Sequence, residues 1–154
     1  MRFSLLAVLL LLLLLAACGG EAGEVKANLG QEFSLSMGQT VSIQDEELKL
    51  KFLEVISDSR CPKDVTCVWQ GQASCLVEIT YLESLYKVTL VQPGLPEEPS
   101  QIDFKEYVIK FNLTPYPEAG KEIKKNDYQL QLVVTRPLLT SSGPPWADGG
   151  VPQM

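Results

Sequence analysis

Histidine is absent from the 154-residue sequence, and its absence excludes several classes of active site. Without it there is no Ser-His or Cys-His nucleophile pair, no His-ligated metal and no imidazole base working near neutral pH. Positive charge is also scarce, with 13 Lys and Arg against 19 Asp and Glu and a formal net charge of −6. The sequence has no basic cluster, which argues against a nucleic-acid-binding protein.

Motifs for catalysis and cofactor binding are missing as well. The sequence has no Gly-rich phosphate loop, no Gly-x-Ser-x-Gly elbow, no Cys-x-x-Cys pair and no calcium-binding loop. Two acidic runs, Asp45-Glu46-Glu47 and Glu97-Glu98, contain the carboxylates that a glycoside hydrolase would need. The first lies in a predicted turn and the second in a Pro-rich loop, where solvated charge is the ordinary explanation. We therefore predict a non-enzymatic protein with no catalytic residue, cofactor or metal.

A single long apolar run begins after Arg2 and covers residues 3–17. As a helix it would span only about 22 Å, short of the roughly 30 Å hydrocarbon core, which favours a cleaved export signal over a transmembrane helix. The run ends in Leu15-Ala16-Ala17-Cys18, which resembles the lipobox of bacterial lipoproteins. This resemblance implies cleavage before Cys18 and acylation of that residue. The alternative is an ordinary signal peptide that ends near a cysteine.

An acylated Cys18 would anchor the protein in the cell membrane or the outer membrane, with its domain outside the cytoplasm. Gly19, rather than Asp, follows the cysteine, which resembles lipoproteins passed on to an outer membrane. The C-terminal residues are rich in Gly, Pro and Ser, and Trp146 among them is interpreted as incidental rather than docked. The predicted organisation is a signal peptide (1–17), the lipidated Cys with a flexible tether (18–30), a β-domain (31–138) and a disordered tail (139–154).

Alternation of apolar and polar residues with period two recurs through the β-domain and predicts about seven strands. The alternation slips by one residue after Phe52, which predicts a bulge, and two adjacent alternating runs predict a hairpin. Helical apolar stripes with caps are absent. We predict an all-β fold, a small antiparallel β-sandwich or barrel, with the strand order left open. The strands are predicted at 33–37, 41–43, 48–55, 73–81, 86–90, 107–113 and 128–134.

Residues 58–73 are the most distinctive segment, since they combine two cysteines, a proline, a tryptophan and a glycine. An oxidising compartment favours a disulfide between Cys61 and Cys67, although pairs of either residue with Cys75 are also possible. Cys75 shares the apolar face of its strand, so we interpret it as a buried, inert thiol. An exposed, reactive Cys75 in a thiol-dependent enzyme is the alternative.

The same segment resembles a signature of small, uncharacterised bacterial exported β-domain proteins. Its residues are Ser59-Arg60-Cys61-Pro62, a second Cys six positions on, and Trp69 followed by Gly71. The resemblance covers most of residues 31–138 and implies a fold and an extracytoplasmic location but no activity. Gly71 is predicted to permit a positive-φ turn into the next strand.

Arg60, Lys63 and Trp69 form the candidate binding surface. The two cations can meet a carboxylate or phosphate on a partner, and tryptophans often dominate binding energy at interfaces. The alternatives are ion pairs with Asp58 or Asp64 and an indole packed against the disulfide. We predict a membrane-anchored binding domain whose partner is an envelope or extracellular protein, peptide or glycan. A narrower version is an inhibitor of a secreted hydrolase, and a structural spacer without a ligand is the remaining alternative.

Overall fold

The computed structural model describes residues 24–94 and 99–137. These residues form nine strands and one 3₁₀ turn, Lys125–Asp127, so the predicted all-β class is confirmed. Two of the nine strands, β1 and β7, were not predicted. The strands are β1 (Val25–Ala27), β2 (Glu32–Ser36), β3 (Thr40–Ile43), β4 (Leu48–Asp58), β5 (Gln72–Tyr81), β6 (Ser84–Pro93), β7 (Ser100–Phe104), β8 (Tyr107–Thr114) and β9 (Gln129–Thr135).

The strands form two sheets that pack face to face. One sheet has the order β1-β3-β4-β5-β6 and the other has the order β2-β9-β8-β7. All neighbours are antiparallel except β1 and β3, which run parallel. Each sheet keeps its own edge strands within the described residues, so the fold is a sandwich rather than a closed barrel.

Period-two alternation places the apolar side chains of both sheets in one shared core. In β8 and β9 every second residue is buried and its neighbours reach the surface. Burial of this apolar area is the main stabilising contribution, at roughly 25 cal/mol per Å². The least exposed core residues include Leu35, Val41, Leu48, Leu50, Phe52, Val77, Ile79, Ile109, Leu130, Leu132 and Val134.

The predicted hairpin and the predicted bulge are both confirmed. β5 and β6 pair along their whole length, with a turn at Leu82 and Glu83. The register of β4 against β5 shifts after Phe52, and it shifts a second time after Val55. Each bulge adds a residue to β4 and increases its twist. The two shifts bring Asp58, at the end of β4, opposite Ala73 at the start of β5.

The two unpredicted strands are short and depend on their partners. β1 lies within the predicted tether, yet it pairs with β3 and buries Ala27. β7 pairs with β8 through a tight turn in which Lys105 has a positive φ. β1 has only three residues, and β7 has only two large apolar side chains, Ile102 and Phe104. This alternation is too short to indicate a strand, so the neighbouring strand decides the conformation.

The predicted signal peptide, Cys18 and the predicted tail with Trp146 lie outside the described residues. Among the residues that are described, no helix is long and apolar enough to cross a membrane. The lipobox, the acylation of Cys18 and the location of the domain remain predictions.

Candidate binding surface

Two loops meet at one end of the sandwich, which we call the loop end. Residues 59–71 connect β4 to β5 and are called the stapled loop. Residues 115–127 lie between β8 and β9 and are called the proline loop. The predicted disulfide between Cys61 and Cys67 is confirmed, with its Cα atoms 6.0 Å apart. It closes a ring of residues within the stapled loop.

Arg60 holds the base of the stapled loop from inside the protein. Its side chain is buried, with the whole residue only 3% exposed. Nη1 donates to the carbonyl oxygen of Leu113 at 2.7 Å, and Nη2 donates to that of Pro115 at 3.0 Å. Nε and Nη2 also bind the two carboxylate oxygens of Asp58, at 2.9 and 2.7 Å. Arg60 was predicted to belong to the binding surface, and this burial removes it from that surface.

Asp58 is the acceptor that balances the charge of Arg60, and its side chain is 7% exposed. The hydroxyl of Tyr128 also donates to its Oδ2, at 3.1 Å. Burial opposes ionisation, but hydrogen bonds and charge from Arg60, with the hydrogen bond from Tyr128, together hold the pKa of Asp58 below its ordinary value. Burial, followed by the Asp58 charge, raises the pKa of Tyr128 to about 12. The stapled loop is thus tied to β8 and β9 by an ionised, fully bonded pair.

The proline loop supports the stapled loop from one side. The Lys63 amide donates to the carbonyl oxygen of Pro117 at 3.1 Å, and the Ala119 amide donates to Oδ1 of Asp64 at 2.9 Å. The ammonium of Lys63 pairs with Glu118 rather than with the predicted Asp58 or Asp64, because the chain folds the proline loop against it. Lys121 also binds Glu118, and the two lysines lower the pKa of that carboxyl to about 2, with Lys121 contributing more.

Two glycines allow backbone to pass close to backbone at the loop end. Gly71 has the predicted positive φ, +67°, and a Cβ there would lie 1.8 Å from the carbonyl oxygen of Ser59. A Cβ at Gly94 would lie 1.9 Å from the carbonyl oxygen of Gln70. The Gly94 amide donates to the carbonyl oxygen of Gly71 at 2.9 Å. These approaches attach the end of the stapled loop to the end of β6.

The outer part of the stapled loop is apolar and exposed. We call residues 65–70 the apolar tip, since they include Val65, Val68 and Trp69 and no charged residue. Val68 is 92% exposed, Trp69 is 82% exposed and Val65 is 45% exposed. The interpretation of Trp69 as packed against the disulfide is therefore wrong. Its indole instead borders a shallow cleft beside Cys61 and Cys67.

Two groups considered as catalytic candidates are either buried in the core or bonded to other side chains. Cys75 is a free thiol buried in the core, 2% exposed, and burial raises its pKa to about 12. Glu46 is not a freely solvated acid as expected from its turn, because it accepts from Tyr107 at 2.7 Å and from Arg136 at 2.5 Å. Glu97 and Glu98 lie outside the described residues. Residues 24–94 and 99–137 bring together no group of three or more acidic or Cys side chains suited to hold a metal ion.

Sequence reasoning located the stapled loop but missed two parts of the site. It gave no role to Val65 and Val68, although an uncharged stretch between Asp64 and the next strand was visible in the sequence. It also left the proline loop without a function, because nothing local shows that residues some 50 positions apart are in contact. The structure brings Lys63 and Trp69 to the surface of one loop and places Arg60 beneath it.

We compared the chain with protein-family models, with curated proteins and with solved structures. None of the three comparisons finds a match. The proposals below therefore rest on the residues and geometry of this chain.

Proposed function

We propose that this protein is an exported lipoprotein, anchored through Cys18, whose non-catalytic domain binds a protein in the cell envelope or just outside it. The observation that carries the proposal is the apolar tip. Val68 and Trp69 are almost fully exposed, although the same segment is fixed at its base by a disulfide and a buried ion pair. Leaving the apolar surface of an indole in contact with water is unfavourable in free energy, and a binding role accounts for its exposure on a rigid loop.

The construction of the stapled loop favours tight binding. Ordering a loop upon association subtracts from affinity, and a loop that is already ordered avoids that cost. The Cys61–Cys67 ring, the Arg60 hydrogen bonds and the Lys63–Pro117 bond all restrain the loop before any partner arrives. Tryptophan is among the residues that most often dominate interface energetics. A restrained loop with an exposed Trp is thus suited to act as an interface anchor.

The position of the anchor relative to the apolar tip depends on the tether. The described chain enters beside β3, with Val25 level with Leu50 of β4, and the stapled loop starts beyond Asp58. The unbulged strand β5 covers that interval in six residues, or about 20 Å at the rise of a strand. β1 runs antiparallel to β4, so the tether leaves it towards the loop end, and the six residues from Cys18 to Glu24 span at most about 21 Å. The proposed binding role needs the tether to turn back, so that the apolar tip faces away from the anchoring membrane.

The rival proposal, an enzyme that uses Cys75 or a carboxylate pair, receives less support. A thiol with a pKa of about 12 is neutral at physiological pH, and the core closes it off from substrates. The carboxylate of Glu46 is bonded to Tyr107 and Arg136, and that of Asp58 is bonded to Arg60. These groups act as structural partners in the described part of the chain.

A photo-crosslinking amino acid at position 68 tests the proposal in the native envelope. We expect one recurrent protein adduct, identified by mass spectrometry. The matched control carries the same crosslinker at Leu85, which is 58% exposed but lies at the opposite end of the sandwich. The proposal fails if both positions yield the same scattered adducts, and adducts to glycan alone would replace the protein partner with a polysaccharide.

A further inference from the structure

We propose that the apolar tip occupies the peptide-binding cleft of an extracytoplasmic peptidase, with Trp69 in its apolar side-chain pocket, and blocks access of substrates. This inference rests on the proposed binding function and names the class of partner. Its basis is the combination of a protruding indole, open main-chain groups and a restrained loop base.

The shape of the apolar tip requires a concave partner. Val68 and Trp69 are the most exposed large apolar residues of the described chain, and both lie beyond the disulfide ring. A protruding indole loses its contact with water only when a pocket surrounds it. Apolar pockets of that size are few on any protein and are usually its ligand or substrate sites. A partner that buries Trp69 would thus do so at a functional cleft.

The main chain of the apolar tip is open for pairing. No hydrogen bond joins the backbone of residues 66–69 to any other described residue. On one side the Val65 amide donates to the carbonyl oxygen of Pro62, and on the other the Gln70 carbonyl accepts from the Cys61 amide at 2.9 Å. Clefts that bind peptides recognise main-chain donors and acceptors together with alternate side chains. Residues 66–69 offer both kinds of group in one short stretch.

The base of the stapled loop explains why such a segment would block an enzyme instead of being consumed. If a peptide bond between Cys67 and Gln70 were cut, the disulfide, the Arg60 bonds and the Gly71–Gly94 bond would still hold both new ends. Ends held in place stay in the cleft and can rejoin or remain bound. In an unrestrained loop, the two new ends would instead move apart and release the enzyme.

Charge disfavours a lipid bilayer as the partner. The apolar tip carries no cation, and the nearby Lys63 and Lys121 both pair with Glu118. The chain as a whole has a net charge of −6, which opposes approach to anionic lipid. An uncharged apolar pocket on a protein matches the apolar tip better.

The test uses quenched fluorescent peptides with Phe, Tyr or Trp at the cleavage position. They are digested by the envelope and culture fractions of the producing bacterium after deletion of this gene. Adding the full acylated protein in detergent is expected to lower one of these activities at least tenfold. Trp69→Ala should weaken that inhibition by at least about tenfold, as for an interface hot spot. Leu85→Ala, an exposed apolar truncation at the opposite end, should leave it unchanged.

The outcomes separate this inference from the proposed function. If no peptidase activity falls while the crosslink at position 68 still captures one protein, the binding function stands and the peptidase inference is overturned. Rapid cleavage of the loop without inhibition overturns it too. In a Trp146→Phe variant, a blue shift of Trp69 emission on phosphatidylglycerol vesicles, without inhibition, would replace the peptidase by a membrane.

Discussion

Arg60 shows how a single residue can determine the position of a loop without taking part in binding. Its guanidinium lies inside the protein, where it donates hydrogen bonds to Asp58 and to two carbonyl oxygens. It also lies over the ring of Tyr116. A buried charge is tolerated only when its partner and its donors are all satisfied. Each of these bonds reaches a different part of the chain, so one side chain aligns β4, β8 and the proline loop.

Replacing Arg60 tests that arrangement. Arg60→Ala would leave the buried Asp58 carboxylate unpaired, and we expect it to lower the free energy of unfolding by about 3–5 kcal/mol. Urea unfolding followed by circular dichroism measures the change. Lys63→Ala is the matched control, because it removes a cation whose side chain is 56% exposed, and its unfolding midpoint should not move. Equal effects of the two variants would show that Arg60 does not hold the loop.

The pH dependence of stability should reveal Asp58. Because its pKa is lower in the folded protein than in the unfolded chain, its ionisation stabilises the fold above the unfolded pKa of about 4. This contribution is lost as the pH falls from about 4 through the lower folded pKa. Asp58→Asn should be less stable than the wild type at pH 7 and should lose less stability on acidification. Parallel stability curves from pH 7 to pH 2.5 would contradict the assignment.

At the scale of the element, the stapled loop depends on close backbone contacts as much as on its disulfide. Ser59 and Gln72 exchange hydrogen bonds where the loop leaves the sheet, and Cys61 binds Gln70 one step further on. Gly71 lies between these contacts and against the Ser59 carbonyl. The loop thus continues the pairing of β4 and β5 up to the disulfide and opens only at the apolar tip.

Gly71→Ala tests the close approach, with Gly30→Ala as its control. Both glycines have a positive φ, +67° and +76°, but a Cβ at Gly30 would meet nothing within 4 Å. The control should lose about 1–2 kcal/mol from backbone conformation alone. Gly71→Ala should lose about 1–3 kcal/mol more, because its methyl group meets the Ser59 carbonyl. Thermal unfolding of both variants gives the difference, and equal losses would show that the approach is not restrictive.

At the scale of the whole molecule, the strands of the two sheets separate two ends of the sandwich. The stapled and proline loops lie where β4 and β8 end, whereas Leu82, Leu85 and Arg136 lie at the opposite end. Each end has its own bonded cluster, with Arg60 and Asp58 at one and Arg136, Tyr107 and Glu46 at the other. In the proposed lipoprotein, the path of the tether beyond β1 would decide which of the two ends faces the membrane.

Fluorescence on vesicles measures that orientation. In an acylated Trp146→Phe variant, Trp69 is the only tryptophan. We expect acrylamide in the aqueous phase to quench it and brominated lipids to leave it unchanged. The control places a tryptophan at Leu85, with Trp69 and Trp146 both changed to Phe, and should be quenched more by brominated lipid. Strong lipid quenching of Trp69 would mean that the apolar tip faces the anchoring membrane.

The features that were predictable from the sequence are local ones. The β5–β6 hairpin joins strands that are adjacent in the chain, and the Phe52 bulge is a slip of alternation within one strand. The Cys61–Cys67 ring and the positive φ of Gly71 likewise depend on residues a few positions apart. Alternation shows which face of a strand is buried, so the all-β class followed from it as well.

The partners of these elements were decided by the fold. β2 pairs with β9, about 100 residues away, and Arg60 binds carbonyls of Leu113 and Pro115. The structure buries Arg60 in the ion pair with Asp58, which was the alternative for that residue, and leaves Trp69 exposed, as its place in the candidate binding surface requires. A pattern of apolar residues specifies that one face of a strand must be buried. The hydrophobic effect is not directional, so burial against any complementary apolar face would be favourable. Only the packing of the two sheets selects which residues meet.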